Sequence, residues 1–161
     1  MEQLTLLNLP YKYIIDASSI ISQKDNDFHP RNTYKTLWDK IDKFIVDGLI
    51  VTCSEIADEI KDDELKIWMS EKRLVVLGID YDIQQNVKMI LADNPKMIKF
   101  SSKSGCSSGD PFLIATAMKY GLTVVTEENR ENPNKIPKIC EKYGICCVNI
   151  TGLAKKEGWV L

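Results

Sequence analysis

The chain has 161 residues, 44% of them hydrophobic and 27% charged, which is enough apolar side chain for one substantial core and argues against a disordered or fibrous protein. No apolar run reaches the ~18 residues a membrane-spanning helix needs, and MEQLTLLNLPYKY lacks the basic segment and cleavage site of a secretory leader. The formal net charge of −2 hides an asymmetry: residues 1–95 carry 11 Lys/Arg against 17 Asp/Glu, and residues 96–161 carry 10 against 6.

A single domain over residues 1–161, a cytoplasmic setting and no membrane association are the expectations. Basic residues including Lys96, Lys99, Lys103, Arg130, Lys135 and Lys138 form either a patch for a polyanion or an ordinary mixed surface. The five cysteines have no zinc-site spacing. Cys146 and Cys147 are adjacent, so on a strand they point to opposite faces, and reduced thiols are expected.

In chain order, the run YKYIIDAS (11–18) predicts a buried strand ending at Asp16, and SSIIS a short helix. Residues 33–47 place Leu37, Ile41, Phe44 and Ile45 on one helical face, with Thr33 as cap and Gly48 as stop. LIVTC (49–53) reads as a second strand running into the helix SEIADEIKDD, where Thr52 and Glu55 fit a capping box. Helices are expected at 64–72 and 82–94, with an extended run at 74–79 between them. PKMIKFSSKSGCSSG (95–109) reads as a loop. A helix opening at Asp110–Pro111 should stop near Gly121, followed by the strand LTVVTEE (122–128), a helix at 135–144, the strand ICCVNI (145–150) and a short helix at 151–159. This alternation predicts an α/β protein, a three-layer α/β/α sandwich around a central, mainly parallel sheet. In such folds ligands sit beyond the carboxyl ends of the strands.

Acidic residues recur at that rim. Asp16 closes the first strand, where an uncompensated charge among Ile14, Ile15 and Ala17 would be costly. Glu59 follows the second strand, Asp110 opens a helix, and Glu127 and Glu128 close the strand at 122–128. Each has a structural alternative: Asp110 as an N-cap, Glu59 as surface helix, Glu127 and Glu128 as a polar strand exit. Gathered carboxylates repel unless a cation neutralises them. Oxygen-only donors suit Mg²⁺ or Mn²⁺, and such an ion activates water and stabilises charge on a phosphodiester.

The segments YIIDASS, SEIADE, GDPFLIATA and VVTEE resemble the four acidic motifs of PIN-domain ribonucleases. The ending, TVVTEENRENPNKIPKICEKYGICCVNITGLAKKEGW, resembles a PIN subgroup related to the VapC-type toxins of toxin–antitoxin pairs. The resemblance implies a hydrolase, a Mg²⁺- or Mn²⁺-dependent endoribonuclease acting on RNA, with an antitoxin partner and the option of a homodimer. It implies catalytic and metal-holding roles for Asp16, Glu59, Asp110 and Glu128, with Glu127 the neighbouring candidate for the fourth acid. Ser18 and Thr126 would position substrate or water. Glutamate at the fourth place, where the family commonly has aspartate, is a departure. It supports an alternative reading, a catalytically weak PIN-like module that acts by binding a partner or RNA. A receiver-type phosphorylation domain built on Asp80 fits less well, because CCVNITG supplies no lysine. The single His29 excludes a histidine-pair ribonuclease, GCSSGDPF lacks the Gly-Lys-Ser/Thr of a P-loop, and there is no G-x-S-x-G elbow.

Overall fold

The computed structural model describes residues 9–99 and 109–161. Five strands form one all-parallel sheet: β1 (Tyr13–Ile15), β2 (Ile50–Cys53), β3 (Val75–Leu77), β4 (Thr123–Val125) and β5 (Cys147–Val148), in the order β3-β2-β1-β4-β5. β1 and β2 are buried at every position, as parallel strands covered on both faces must be, whereas the edge strands β3 and β5 are only half-buried. The architecture is the expected α/β/α sandwich.

The helices are α1 (Ala17–Ile21), α2 (Lys35–Val46), α3 (Ser54–Ala57), α4 (Asp63–Glu71), α5 (Tyr81–Asp93), α6 (Lys96–Lys99), α7 (Asp110–Tyr120), α8 (Ile136–Lys142) and α9 (Ile150–Glu157). α7 is the central one. Leu113, Ile114, Ala115, Thr116 and Ala117 are all buried, so it is covered on every side. It stops where Gly121 turns left-handed at φ 67°.

Several local expectations differ from the structure. The helix expected through SEIADEIKDD is shorter than its run, since α3 stops at Ala57; the helix expected at 64–72 is α4, which starts where Asp62 Oδ1 accepts the Leu65 N–H at 3.0 Å. Thr33 is not the cap of α2, whose cap position is Tyr34. Thr52 forms no capping box; its hydroxyl donates to the Ile15 carbonyl at 2.9 Å and ties β2 to β1. Asp110 is the first helical residue rather than the cap, which is Gly109. Residues 96–99 form α6, not loop, and the remainder of the expected loop, with Lys103 and Cys106, lies at 100–108, outside the described residues. Asp80, the remote candidate for a receiver-type site, caps α5 by accepting the Ile83 N–H at 2.9 Å and pairs with Lys119. Trp38 and Trp68 are buried against each other, ring centroids 6.2 Å apart.

Strand order determines where a ligand can sit. The chain runs outward from β1 through β2 to β3, then returns to the other side of β1 for β4 and β5. The switch point is the gap between the carboxyl ends of β1 and β4.

Candidate functional site

The register of β1 on β4 builds the first half of the site. Ile15 lies opposite Val125, and the Asp16 N–H continues the ladder to the Val125 carbonyl at 2.9 Å. Asp16 and Thr126 therefore emerge side by side at the switch point. The Thr126 hydroxyl donates to Asp16 Oδ2 at 2.8 Å, and the Ser18 hydroxyl donates to the same oxygen at 2.7 Å. Asp16 is 3% exposed. Among the described residues it has no ion pair.

Burial pushes the Asp16 carboxyl up from its ordinary range, while the two hydroxyls and the N–H groups of Ala17 and Ser18 pull it partly back. Neutral donors spread the charge without cancelling it.

Glu127 and Glu128 leave β4 in different directions. Glu128 faces the switch point. Its carboxyl is pushed up first by burial and then by the charge of Asp16, with Glu59 adding to the repulsion and Lys135 opposing it. Its Oε1 accepts the Ile136 N–H of α8 at 3.4 Å. Glu127 instead accepts the Ile150 N–H at the start of α9 at 2.8 Å and the Ser19 hydroxyl at 3.4 Å, and lies 4.0 Å from His29 Nδ1. Its own N–H donates to Ser18 Oγ at 3.0 Å.

The second half of the site comes from the breaks beside α3 and α7. The turn after Ala57 carries Glu59 across to α7, where Glu59 Oε2 accepts the Gly109 N–H at 2.9 Å. Asp110, next in sequence and 1% exposed, opens α7 at that point. Gly109 makes this approach feasible. A Cβ there would overlap Glu59 Oε2 and come within 3.0 Å of Ile56 Cδ1.

The structure thus brings Glu59 to the start of α7 beside Asp110, and sets Asp16, Ser18, Thr126 and Glu128 together across the β1–β4 gap. Glu128 feels both Asp16 and Glu59, which joins the two halves. Glu127 belongs to a separate network. Gly109 was not anticipated as a site residue, although its place directly before Asp110 was an available signal; Lys135 was expected only as part of a possible basic patch, not beside the acids.

The donor set suits a hard dication: it is all oxygen, largely buried and short of positive charge. On position, no group of three His, Cys, Asp or Glu side chains among the described residues is arranged to hold an ion.

A family model described as a domain of unknown function (DUF4411) matches residues 13–161. No curated protein matches the chain. Among solved structures, it is similar to PAE2754 from Pyrobaculum aerophilum, with 15% identity, a TM-score of 0.54, and coverage of 91% of this chain and 89% of that one. It is also similar to VapBC2 from Rickettsia felis, solved bound to a DNA fragment from their promoter, with 15% identity, a TM-score of 0.52, and coverage of 85% of this chain and 97% of that one. At this identity the similarity is one of fold, and the fold is PIN-like.

Proposed function

The chain belongs to the DUF4411 family, and from its acidic switch point we propose that it is a metal-dependent endoribonuclease, the toxin of a toxin–antitoxin pair. The observation that carries this reading is the state of Asp16, a buried carboxylate with only neutral partners, whose charge pushes up the nearby Glu128 carboxyl. A fold that leaves carboxylates so placed is one that an added dication stabilises.

In this reading Asp16, Glu59 and Asp110 hold Mg²⁺ or Mn²⁺, with Glu128 completing the set. The bound ion supplies activation of water and stabilisation of charge on the phosphodiester. The residues of the chain do the rest. The Thr126 and Ser18 hydroxyls hold Asp16 Oδ2 and so fix the carboxylate in one orientation. The helix dipole of α7 favours the ionised form of Asp110. Glu128, raised by burial and by the charges of Asp16 and Glu59, is the group whose repulsion a bound cation would relieve.

The pairing with an antitoxin is supported by the similarity to VapBC2 and by the charge of the site, which suits a cationic side chain from such a partner. The reading is tested by assaying cleavage of single-stranded RNA with added Mn²⁺ for the wild type and Asp16→Asn, alongside calorimetric titration of Mn²⁺. Cleavage and Mn²⁺ binding that both disappear in the variant support it. Activity equal in the two proteins overturns it. Absence of both cleavage and acid-dependent ion binding in the wild type favours the binding-module alternative.

A further inference from the structure

The end of β4 leads directly from the acidic site into a cationic groove. Glu128 accepts the N–H of Ile136, the first residue of α8. Lys138 and Lys142 lie one turn apart on one face of α8, and Lys135 is the extended residue directly before the helix, so the three span roughly 10 Å, about three stacked nucleotides. Lys138 and Lys142 line a cavity of about 560 Å³, closed on its other sides by Asp93, Asn94, Pro95 and Lys96 at the end of α5 and by Pro133 and Asn134.

The lining holds two acids against three lysines, which leaves one positive charge in excess. Asp93 accepts the Tyr143 hydroxyl at 2.7 Å, and Glu141 lies 3.5 Å from Lys138 on the solvent side of α8. Lys142 donates to Asn94 Oδ1 at 2.6 Å, which holds its ammonium at the groove wall without cancelling its charge. Lys96 is exposed and has no ion pair among the described residues. The cavity is open to solvent and edged with lysines, which suits a phosphate backbone.

We infer that this groove along α8 docks the phosphate backbone of a single-stranded RNA on one side of the bond to be cut at the acidic site. The inference rests on the proposed ribonuclease reading, whose substrate it would orient. Lys135 is the hinge between the two regions, close to Glu128 and one turn from Lys138. The strand would be held by charge rather than by base identity, so affinity should depend steeply on salt and little on sequence.

The test is equilibrium binding of a fluorescein-labelled, mixed-sequence 12-nucleotide RNA to the full chain in EDTA, by anisotropy across a salt series. Wild type is compared with Lys96→Gln and with the triple variant Lys96→Gln, Lys138→Gln, Lys142→Gln, each checked for unchanged thermal unfolding. We expect the triple variant to bind at least ~10-fold more weakly and its log–log salt slope to fall by about 2, from ~0.7 per lost contact. Lys96→Gln alone leaves the Asn94 contact intact and should lower the slope by ~0.7. Unchanged affinity and slope in the triple variant overturn the groove, even if RNA cleavage by the wild type is intact. A wild type that binds RNA as described but never cleaves it leaves the groove standing and removes the nuclease.

Discussion

Asp16 and Asp42 are two of the three buried aspartates among the described residues, and they are treated in opposite ways. Asp42, on α2, is fully compensated: Arg31 reaches both of its oxygens at 2.8 and 3.0 Å, Trp68 Nε1 donates at 2.8 Å, and Lys72 lies at 3.9 Å. Arg31 in turn stacks near the rings of Trp38 and Trp68 and donates to Gln23. Asp16 receives hydroxyls and no cation, beside a second acid. A charge that the fold compensates within itself is structural. One left short of positive charge at a topological switch point is available to something from outside.

Substitutions can break this contrast. The largest effect is expected from Asp16→Asn, which should lower Mn²⁺-dependent RNA cleavage by at least ~100-fold while leaving metal-free unfolding unchanged or shifted upward. Cleavage assays paired with calorimetry check both halves. Gly109→Ala should follow, at about 10–100-fold in activity, because the added methyl must displace Glu59 from the start of α7. Asp42→Ala should do the reverse of Asp16→Asn. It should cost about 2–3 kcal/mol of stability, discounted because the Arg31 side chain is partly exposed, and leave Mn²⁺ affinity within about twofold in a titration.

The adjacent glutamates offer a finer version of the comparison. Glu127→Ala removes the partner of the Ile150 N–H and should destabilise the protein by about 1–2 kcal/mol, whereas Glu128→Gln should weaken Mn²⁺ binding with little loss of stability. The smallest effect concerns pH. Asp16 and Glu128 are raised in the folded state, so the native chain holds their protons longer than the unfolded one. Their contribution to stability is present in full below about pH 4 and declines as pH rises through the folded values. Added Mn²⁺ should therefore raise the melting temperature by a few degrees at pH 7.5 and by less at pH 5, and a dye-free melting series measures this. An equal rise at both values would detach the ion from these carboxylates.

Much of this was legible in the sequence because it depends on local pattern. Continuous apolar runs ending in acids placed β1 and β4, and Gly121 after an apolar run closed α7. What stayed hidden depends on partners far along the chain. Arg31 sits in the polar stretch QKDNDFHPRN and looks like a solvated connector, since nothing nearby shows that Asp42 and two tryptophans will enclose it. Thr52 offered a plausible capping box, yet the carbonyl of Ile15 on the neighbouring strand competed better for its hydroxyl. Glu127 and Glu128 are chemically alike, and only the arrival of α9 beneath β4 separates them.

The bond from the Ile150 amide to Glu127 ties the rim of the sheet to the final helix. That single hydrogen is thus a natural reporter: its rate of exchange with deuterium should track the integrity of the acidic rim through Glu127. If it slows when manganese is added, the chain's tail is sensing what occupies the front.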